Sequence, residues 1–481
     1  MTSIRTLAPT PVWEWFDDIC AVPHPTYREQ ALAETILNRA RAAGITARQD
    51  DKGNLYFRKP ACSTTAQDGV ILQAHIDMVA QKTPDSPHDF AADPIRPRID
   101  GDWVRADNTT LGADNGIGAA MALAVLFADN IQHPPLEVLL TVEEETGMGG
   151  VRAVQGDWLQ GKYLINLDTE ENGSIYLGCA GGRDAELSLP LQREAATDGQ
   201  AFRISVSGML GGHSGIDIHR GRGNAVKLLA DTLNRLQAVG AWHLHRFSGG
   251  TLRNVIPREA VAEVVLSAQA AAQLDGILAQ AEADARTELG AHADALNICA
   301  EVLPLPETVF TAADSLCAAD LLCALPDGVL RMSDDFDGVA ETSVCLSVAQ
   351  SEAERLHICL LMRSLLETPK DALSRRLAAL ARLSGAELLL AEDYPGWTPD
   401  RQSRLFAAAQ RVFAEHLGHE PKVEVIHAGL ECGLMQQRLP DVEMISFGPT
   451  IEGAHTPHER VNIATVAECW EALLKLLKNM P

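Results

Sequence analysis

The sequence predicts an α/β protein in which a mixed sheet flanked by helices is interrupted by an inserted α+β domain. Three observations lead there. Short apolar runs at Val70-Ile71-Leu72, Leu136–Val142, Tyr163–Leu167 and Val442–Phe447 have the length and composition of buried strands. Helical stretches lie among them. The pattern changes after Asp168 into a block of alternating strands and amphipathic helices, and the first pattern resumes near residue 395. At 481 residues the chain exceeds one hydrophobic core, so two or more domains are expected.

In chain order, Thr10-Pro11 opens a helix with Thr as its cap and Pro at its first position, ending before Pro23. Thr26-Tyr-Arg-Glu29 reads as a capping box for a helix that ends at Gly44. Gly53–Arg58 alternates like a strand, and Gly69–Asp77 is a buried parallel strand running into His75 and Asp77. Pro84–Asp107, rich in Pro and Asp, predicts a loop. Leu111–Leu123 is a glycine-rich turn feeding an apolar helix. Its Gly116-x-Gly118 lacks the third glycine of a dinucleotide fingerprint, where Met121 stands, so the glycines are read as close-packing positions. The inserted domain spans 184–394, as two α/β units at 184–295 and 296–394, with strands at Phe202–Val206, Ala262–Leu266 and His357–Leu361. Tyr394–Pro399 is a linker. Residues 395–481 complete the domain begun by 1–183, with a last helix at Ala464–Lys478.

Composition excludes some partners. Forty Lys and Arg against 65 Asp and Glu leave a net charge of −25, which argues against nucleic acid and anionic membranes. No stretch approaches the roughly 20 apolar residues of a membrane span. The N-terminal segment lacks the apolar core of a signal peptide. Ten cysteines without CxxC spacing read as reduced thiols, and a cytoplasmic protein is expected.

The four apolar runs share an ending. They lead into His75 and Asp77, Glu143-Glu144-Glu145, Asp168, and a loop holding His455. In open α/β sheets the chemistry gathers outside the carboxyl ends of the strands, and His, Asp and Glu are ligands that suit zinc. Singly, His75 is an ordinary structural histidine, Asp168 a helix cap and the glutamates a solvated turn. Jointly, they favour a metal centre. His75 would bind a metal through a ring nitrogen, with Asp77 hydrogen-bonded to it and fixing its tautomer. Asp114 could bridge two metals. One of the three glutamates would ligate and a neighbour act as general base. Asp168 and His455 would close the two coordination shells.

Five motifs carry a family resemblance: Gln73-Ala-His75-Ile-Asp77-Met-Val, Thr109-Thr-Leu-Gly-Ala-Asp114-Asn-Gly-Ile-Gly118, Thr141-Val-Glu-Glu144-Glu145-Thr-Gly-Met148, Ile165-Asn-Leu-Asp168, and Gly448-Pro-Thr-Ile-Glu-Gly-Ala-His455-Thr-Pro. Over essentially its whole length the chain resembles the aminoacyl-histidine dipeptidases (Xaa-His dipeptidases, peptidase D). These belong to the dizinc metallopeptidases that also include aminoacylases and succinyl-diaminopimelate desuccinylases. The resemblance implies a zinc-peptidase-like catalytic domain with an inserted lid. It implies two divalent ions, zinc first with manganese or cobalt as alternatives, held by His75, Asp114 (bridging), Glu145, Asp168 and His455. It makes Glu144 the base, and Asp77, hydrogen-bonded to His75, counts with Glu144 and His213 among the catalytic residues. Glu143 departs from the family pattern, and the Gly-Pro context favours His455 over His458. In the lid, His213 of Gly211-Gly-His213-Ser-Gly215 would donate to the developing oxyanion. Asn254 and Arg363 would clamp the substrate carboxylate. Gly429–Gly433 is similar to the family's substrate-lining loop. A cis peptide between Asp114 and Asn115 is also implied.

The implied reaction is hydrolysis of Xaa-His and related, carnosine-like dipeptides. The alternatives are an N-acyl-amino-acid deacylase or carboxypeptidase on the same scaffold, and a non-catalytic peptide-binding relative, which the complete set of ligand-type residues disfavours. The expected partner is a dipeptide, with the oligomer left open between monomer and homodimer. In short-lid relatives the partner chain supplies the equivalents of His213 and Asn254. The insertion here is about twice a single lid unit, so its halves are expected to imitate a lid dimer and let one chain build the whole site.

Overall fold

The computed structural model describes residues 3–62 and 68–481. These form two compact units. One comprises the chain up to Cys179 with Trp397–Val425 and Leu430–Pro481; the other comprises Ala180–Gly396 with Ile426–Gly429.

The first unit begins with α1 (Thr10–Cys20) and α2 (Gln30–Ala42), then β1 (Thr46–Gln49), β2 (Leu55–Lys59), β3 (Val70–His75), α3 (Ala113–Phe127), β4 (Leu136–Thr141), β5 (Tyr163–Asn166) and β6 (Ser174–Cys179). The second unit contributes β7 (Gly181–Pro190), β8 (Gln200–Ser207), α4 (Ala225–Leu236), β9 (Trp242–Gly249), β10 (Ala260–Leu266), α5 (Leu274–Leu289), β11 (Asn297–Leu303), α6 (Ala312–Ala324), β12 (Ala340–Ser351), β13 (Arg355–Ser364), α7 (Glu367–Ser384) and β14 (Glu387–Tyr394). The chain then returns through α8 (Arg404–Leu417), β15 (Lys422–Ile426), α9 (Glu431–Arg438), β16 (Glu443–Ser446) and α10 (Ile463–Lys478).

Among the described residues the first unit's main sheet has the order β1-β2-β4-β3-β5-β16-β6-β15. Its centre is parallel: β4, β3, β5 and β16 pair in register, Ala74 opposite Leu140, Leu72 opposite Ile165, and Ile165 opposite Ile445. Every residue of β3, β4 and β5 is buried, which is why these strands read as unbroken apolar runs. Helix α3 is buried all round from Asn115 to Leu126, and that matches its apolar composition. A Cβ on Gly118 would lie 2.3 Å from the Leu167 carbonyl oxygen, so only glycine lets this helix start meet the end of β5.

Three local expectations are corrected. Thr10 is the first helical residue rather than the cap, which is Pro9, and its hydroxyl donates to the Leu7 carbonyl. Thr26-Tyr-Arg-Glu29 is not a capping box, because α2 begins at Gln30. Thr26 Oγ1 donates to Asp77 Oδ2 at 3.0 Å, and Glu29 Oε1 accepts from the amides of Tyr27 and Glu143. These side chains satisfy the site beside them instead of the helix. The stretch Pro84–Asp107 holds a hairpin, Arg98–Asp100 with Trp103–Arg105, that pairs onward with Arg460–Asn462. Three-residue strands are too short to leave a period in the sequence.

The second unit's sheet runs β11-β8-β10-β9-β12-β13-β7-β14, with Gly328–Met332 added beside β12. Read by topology it is two β-α-β-β-α-β repeats of equivalent strand order. The first is β8-α4-β9-β10-α5-β11. The second is β7-α6-β12-β13-α7-β14. Their second strands, β9 and β12, join antiparallel at Ser248–Gln350 and Gly249–Ala349. The repeats are nested rather than consecutive, since β7 precedes the whole first repeat. A division at 295/296 therefore misplaces β7 and β11, which lie in sequence beside one repeat and pair within the other.

Candidate active site

The parallel strands β4, β3, β5 and β16 bring their carboxyl ends to one edge of the first unit's sheet. His75 closes β3, Glu143–Glu145 follow β4, Asp168 follows β5, and the loop after β16 carries His455. Asp114 arrives on the first turn of α3, where its peptide bond to Asn115 is cis. Asn115 stitches that turn in place: its Nδ2 donates to the Leu167 carbonyl at 2.6 Å, and its Oδ1 accepts from the His75 amide at 3.3 Å.

Asp114 stands between two histidines. Its Oδ1 is 3.2 Å from His75 Nε2, and its Oδ2 is 3.1 Å from His455 Nε2. His75 Nε2 also lies 3.5 Å from Asp168 Oδ1, and His455 Nε2 lies 2.9 Å from Glu145 Oε2. Two triads that could each hold a metal ion therefore share Asp114, namely His75–Asp114–Asp168 and Asp114–Glu145–His455. A third group joins His75 with Glu144 and Glu145. Glu145 Oε1 and Asp168 Oδ1 are buried without a hydrogen-bond partner. Buried carboxylate oxygens beside imidazole nitrogens, with lone pairs unspent, make a donor set that fits divalent cations.

Within the glutamate triplet, Glu143 has a positive φ of 54° and turns to Lys52, with Oε2 2.6 Å from Nζ. Glu144 and Glu145 remain with His75. Asp77 does more than orient the histidine. His75 Nδ1 is 3.0 Å from the Asp77 backbone oxygen and 3.4 Å from Oδ1. The Asp77 carboxylate accepts the amides of Glu144 and Glu145 at 3.0 and 3.2 Å, so it clasps the backbone of that pair. His458 belongs to no donor group among the described residues.

The charges follow from the crowding of acidic and imidazole groups. Burial pushes the Glu144 carboxyl well above the usual range, with Asp168, Glu145 and Glu431 adding to it against the pull of His75. Burial likewise lifts Asp168 to about 7. Hydrogen bonds to Asp114 and Glu145 raise His455 to about 11. Asp114 is held below its ordinary value: burial opposes this, but the two histidines outweigh it.

His213, Asn254 and Arg363 all fall in the second unit. His213 lies on a two-residue strand, opposite Val255. Its Nδ1 accepts the amides of Gly215 and Ile216 at 3.1 and 3.0 Å, which leaves the ring proton on Nε2. Burial and the nearby Arg363 guanidinium lower its pKa to about 4, so the ring is a neutral N–H donor. Arg363 on β13 is 5% exposed and donates to the Tyr394 hydroxyl at 2.9 Å. It has no ion-pair partner among the described residues, and its Nε is buried and unpaired. A buried guanidinium without a carboxylate is a site for an anion. Asn254 is exposed, and its carbonyl accepts the Ser214 amide.

The sequence reading missed several residues here. Tyr394, which the sequence places at the start of a linker, partners Arg363. His427 packs its Nε2 2.7 Å from Ser343 Oγ within the second unit. Glu431, in a loop whose side chains had no assigned role, is fully buried and accepts from Gln73 Nε2 and Thr141 Oγ1 at 2.5 and 2.8 Å. Gln73 in turn accepts from Asn166, and the result is a buried polar belt across the ends of β3, β4 and β5. Only the position of Gln73, two residues before His75, hinted at it.

A parallel-strand edge crowded with His, Asp and Glu in two triads defines a hydrolase centre of the metallopeptidase type, and the chain belongs to peptidase family M20/M25/M40, whose model matches residues 71–479. Among particular proteins, it is 43% identical over 483 residues to the cytosol non-specific dipeptidase of Escherichia coli (strain K12), covering 100% of both. The crystal structure of aminoacylhistidine dipeptidase from Vibrio alginolyticus superposes with a TM-score of 0.91 at 43% identity, covering 100% of this chain and 98% of that one. The aminopeptidase PepT of Bacillus cereus shares the fold at a TM-score of 0.58 and 17% identity, over 98% and 99% of the two chains. The resemblance carried by the five motifs is thereby borne out. Among the described residues no helix is long and apolar enough to cross a membrane.

Proposed function

We propose that this protein is a metallodipeptidase that hydrolyses Xaa-His and related, carnosine-like dipeptides in the cytoplasm. The observation that carries the reading is Asp114, set between two histidines so that each of its oxygens serves one triad. Full-length identity of 43% to relatives named as dipeptidases supports the substrate class.

His75, Asp114 and Asp168 would hold one divalent ion, and Asp114, Glu145 and His455 the other. The mixed nitrogen and oxygen donors suit zinc, with manganese or cobalt as alternatives. Such a pair, when bound, polarises a carbonyl and lowers the pKa of water. Glu144 takes a proton from the attacking water on its carboxylate and returns it to the leaving amine nitrogen. Asp77 keeps the Glu144 backbone in place through two amide hydrogen bonds to the pair. His213, with its proton held on Nε2, is the donor for the oxyanion. Arg363 presents its guanidinium to the substrate carboxylate, joined by Asn254.

The test is a panel of Xaa-His dipeptides, carnosine, N-acetyl amino acids and longer peptides, run on chelator-treated protein resupplied with Zn²⁺, Mn²⁺ or Co²⁺. Dipeptide turnover restored by metal is the expected result. Turnover of N-acetyl amino acids alone would mean a deacylase, and peptide binding without turnover would mean a non-catalytic relative.

A further inference from the structure

Glu459, which no sequence motif singles out, is 2% exposed, and its carboxylate accepts four consecutive backbone amides. Oε2 takes those of Leu111 at 2.7 Å and Gly112 at 3.0 Å; Oε1 takes those of Ala113 at 2.7 Å and Asp114 at 3.2 Å. Helix starts leave their first amides without partners and carry the positive end of the dipole, so a carboxylate is a natural acceptor there. Here the acceptor lies 345 residues away from Asp114. The backbone is shaped to meet it. Gly112 has a φ of 72°, and Asp114 and Asn115 have non-helical angles, so the helix ladder alone does not hold this turn.

The same carboxylate stands four residues after His455, on the loop that follows β16. Glu459 thus ties together the two segments that supply Asp114 and His455, whose side chains meet at 3.1 Å. Both belong to one candidate triad. An amide in place of the carboxylate would turn an NH₂ group toward two of the four donors and leave buried amides unsatisfied.

We propose that Glu459 is a positioning residue that locks the Asp114 turn against the His455 loop and so sets the affinity of the site for divalent metal. The inference rests on the metallopeptidase reading above. Residues that orient metal ligands without touching the metal commonly govern affinity about 10- to 100-fold.

The experiment titrates chelator-treated wild type, Glu459→Gln and Glu459→Asp with Co²⁺, reading affinity by calorimetry and the visible absorption band. Urea unfolding of the metal-free proteins runs alongside. In Glu459→Gln, affinity for at least one ion should fall about 10- to 100-fold and the band should change shape. Glu459→Asp, which keeps the charge but reaches fewer amides, should fall between. Amide hydrogen exchange on metal-free wild type is the measurement that needs no variant to fold: the amides of 111–114 should be protected. Exchange there at the rate of an open loop would overturn the inference, and so would wild-type Co²⁺ affinity and band shape in Glu459→Gln. A wild type that binds no Co²⁺ and cleaves no dipeptide would instead sink the metallopeptidase reading.

Discussion

At the scale of single residues the centre separates groups that could bind metal from those proposed to move protons and those that hold backbone. Glu144 and Glu145 are adjacent and both half-buried, yet only Glu145 shares a triad with Asp114 and His455. Glu144→Ala should therefore lose turnover by about 10²- to 10⁴-fold while still binding metal, because a proton acceptor is dispensable for coordination. Glu145→Ala should lose metal. Metal analysis beside a dipeptide assay decides it, and the opposite pairing of outcomes would shift both assignments by one residue. Asp77 belongs to the second kind of group. Asp77→Ala would strip acceptors from the Glu144 and Glu145 amides and from Thr26, at a cost of about 1–3 kcal/mol for each buried donor left unpaired. A thermal shift of the metal-free protein reads that cost, and wild-type stability in Asp77→Ala would refute the clasp.

Two elements make testable demands on their neighbours. The start of α3 depends on Gly118, whose missing side chain admits the Leu167 carbonyl. Gly118→Ala should overpack this contact by about 1–3 kcal/mol and displace the Asp114 turn, lowering metal affinity together with stability. A stable variant with wild-type affinity would show that the two elements can separate freely. In the second unit, the half-buried His213 and the buried His427 are neutral, lowered from 6.5 to about 4 and about 3, chiefly by desolvation and then by Arg363. A histidine with a depressed folded-state pKa leaves stability intact above 6.5 and erodes it below, because the unfolded chain takes up protons that the folded chain refuses. Stability should fall between pH 6.5 and about 4 with a slope of up to about 1.4 kcal/mol per pH unit for each group. His427→Gln should flatten that slope. Urea midpoints across the window measure it, and parallel wild-type and variant curves would contradict the neutral, buried assignment.

The whole molecule joins one parallel-centred sheet to a second unit made of two nested repeats. Their second strands meet antiparallel within one continuous sheet, in the manner of two subunits joined across a symmetric edge. The first repeat carries His213 and Asn254 in its connections, and the second carries Arg363. We expect one chain to supply all three to its own site. Mixing inactive Glu144→Ala and His213→Ala proteins under conditions that exchange subunits tests this. A site built by one chain stays dead in the mixture, whereas recovered activity would mean that sites are shared between chains.

By itself the sequence determined the family and pointed to the strand ends where the candidate ligands gather. His75, Glu144, Glu145, Asp168 and His455 each follow a short apolar run, closely or through a loop, and buried parallel strands announce themselves by unbroken hydrophobicity. Asp114 was legible for a related reason, since glycines beside an apolar helix mark a close approach. Tertiary structure alone decided what holds these groups still. The clasps of Asp77 and Glu459 satisfy backbone amides, which every residue possesses, so their partners leave no mark on composition or period. The nesting of β7 with a repeat that resumes at α6 was hidden likewise. Strand pairing is settled by edge complementarity in space, and an alternating strand reads the same whichever neighbour it joins.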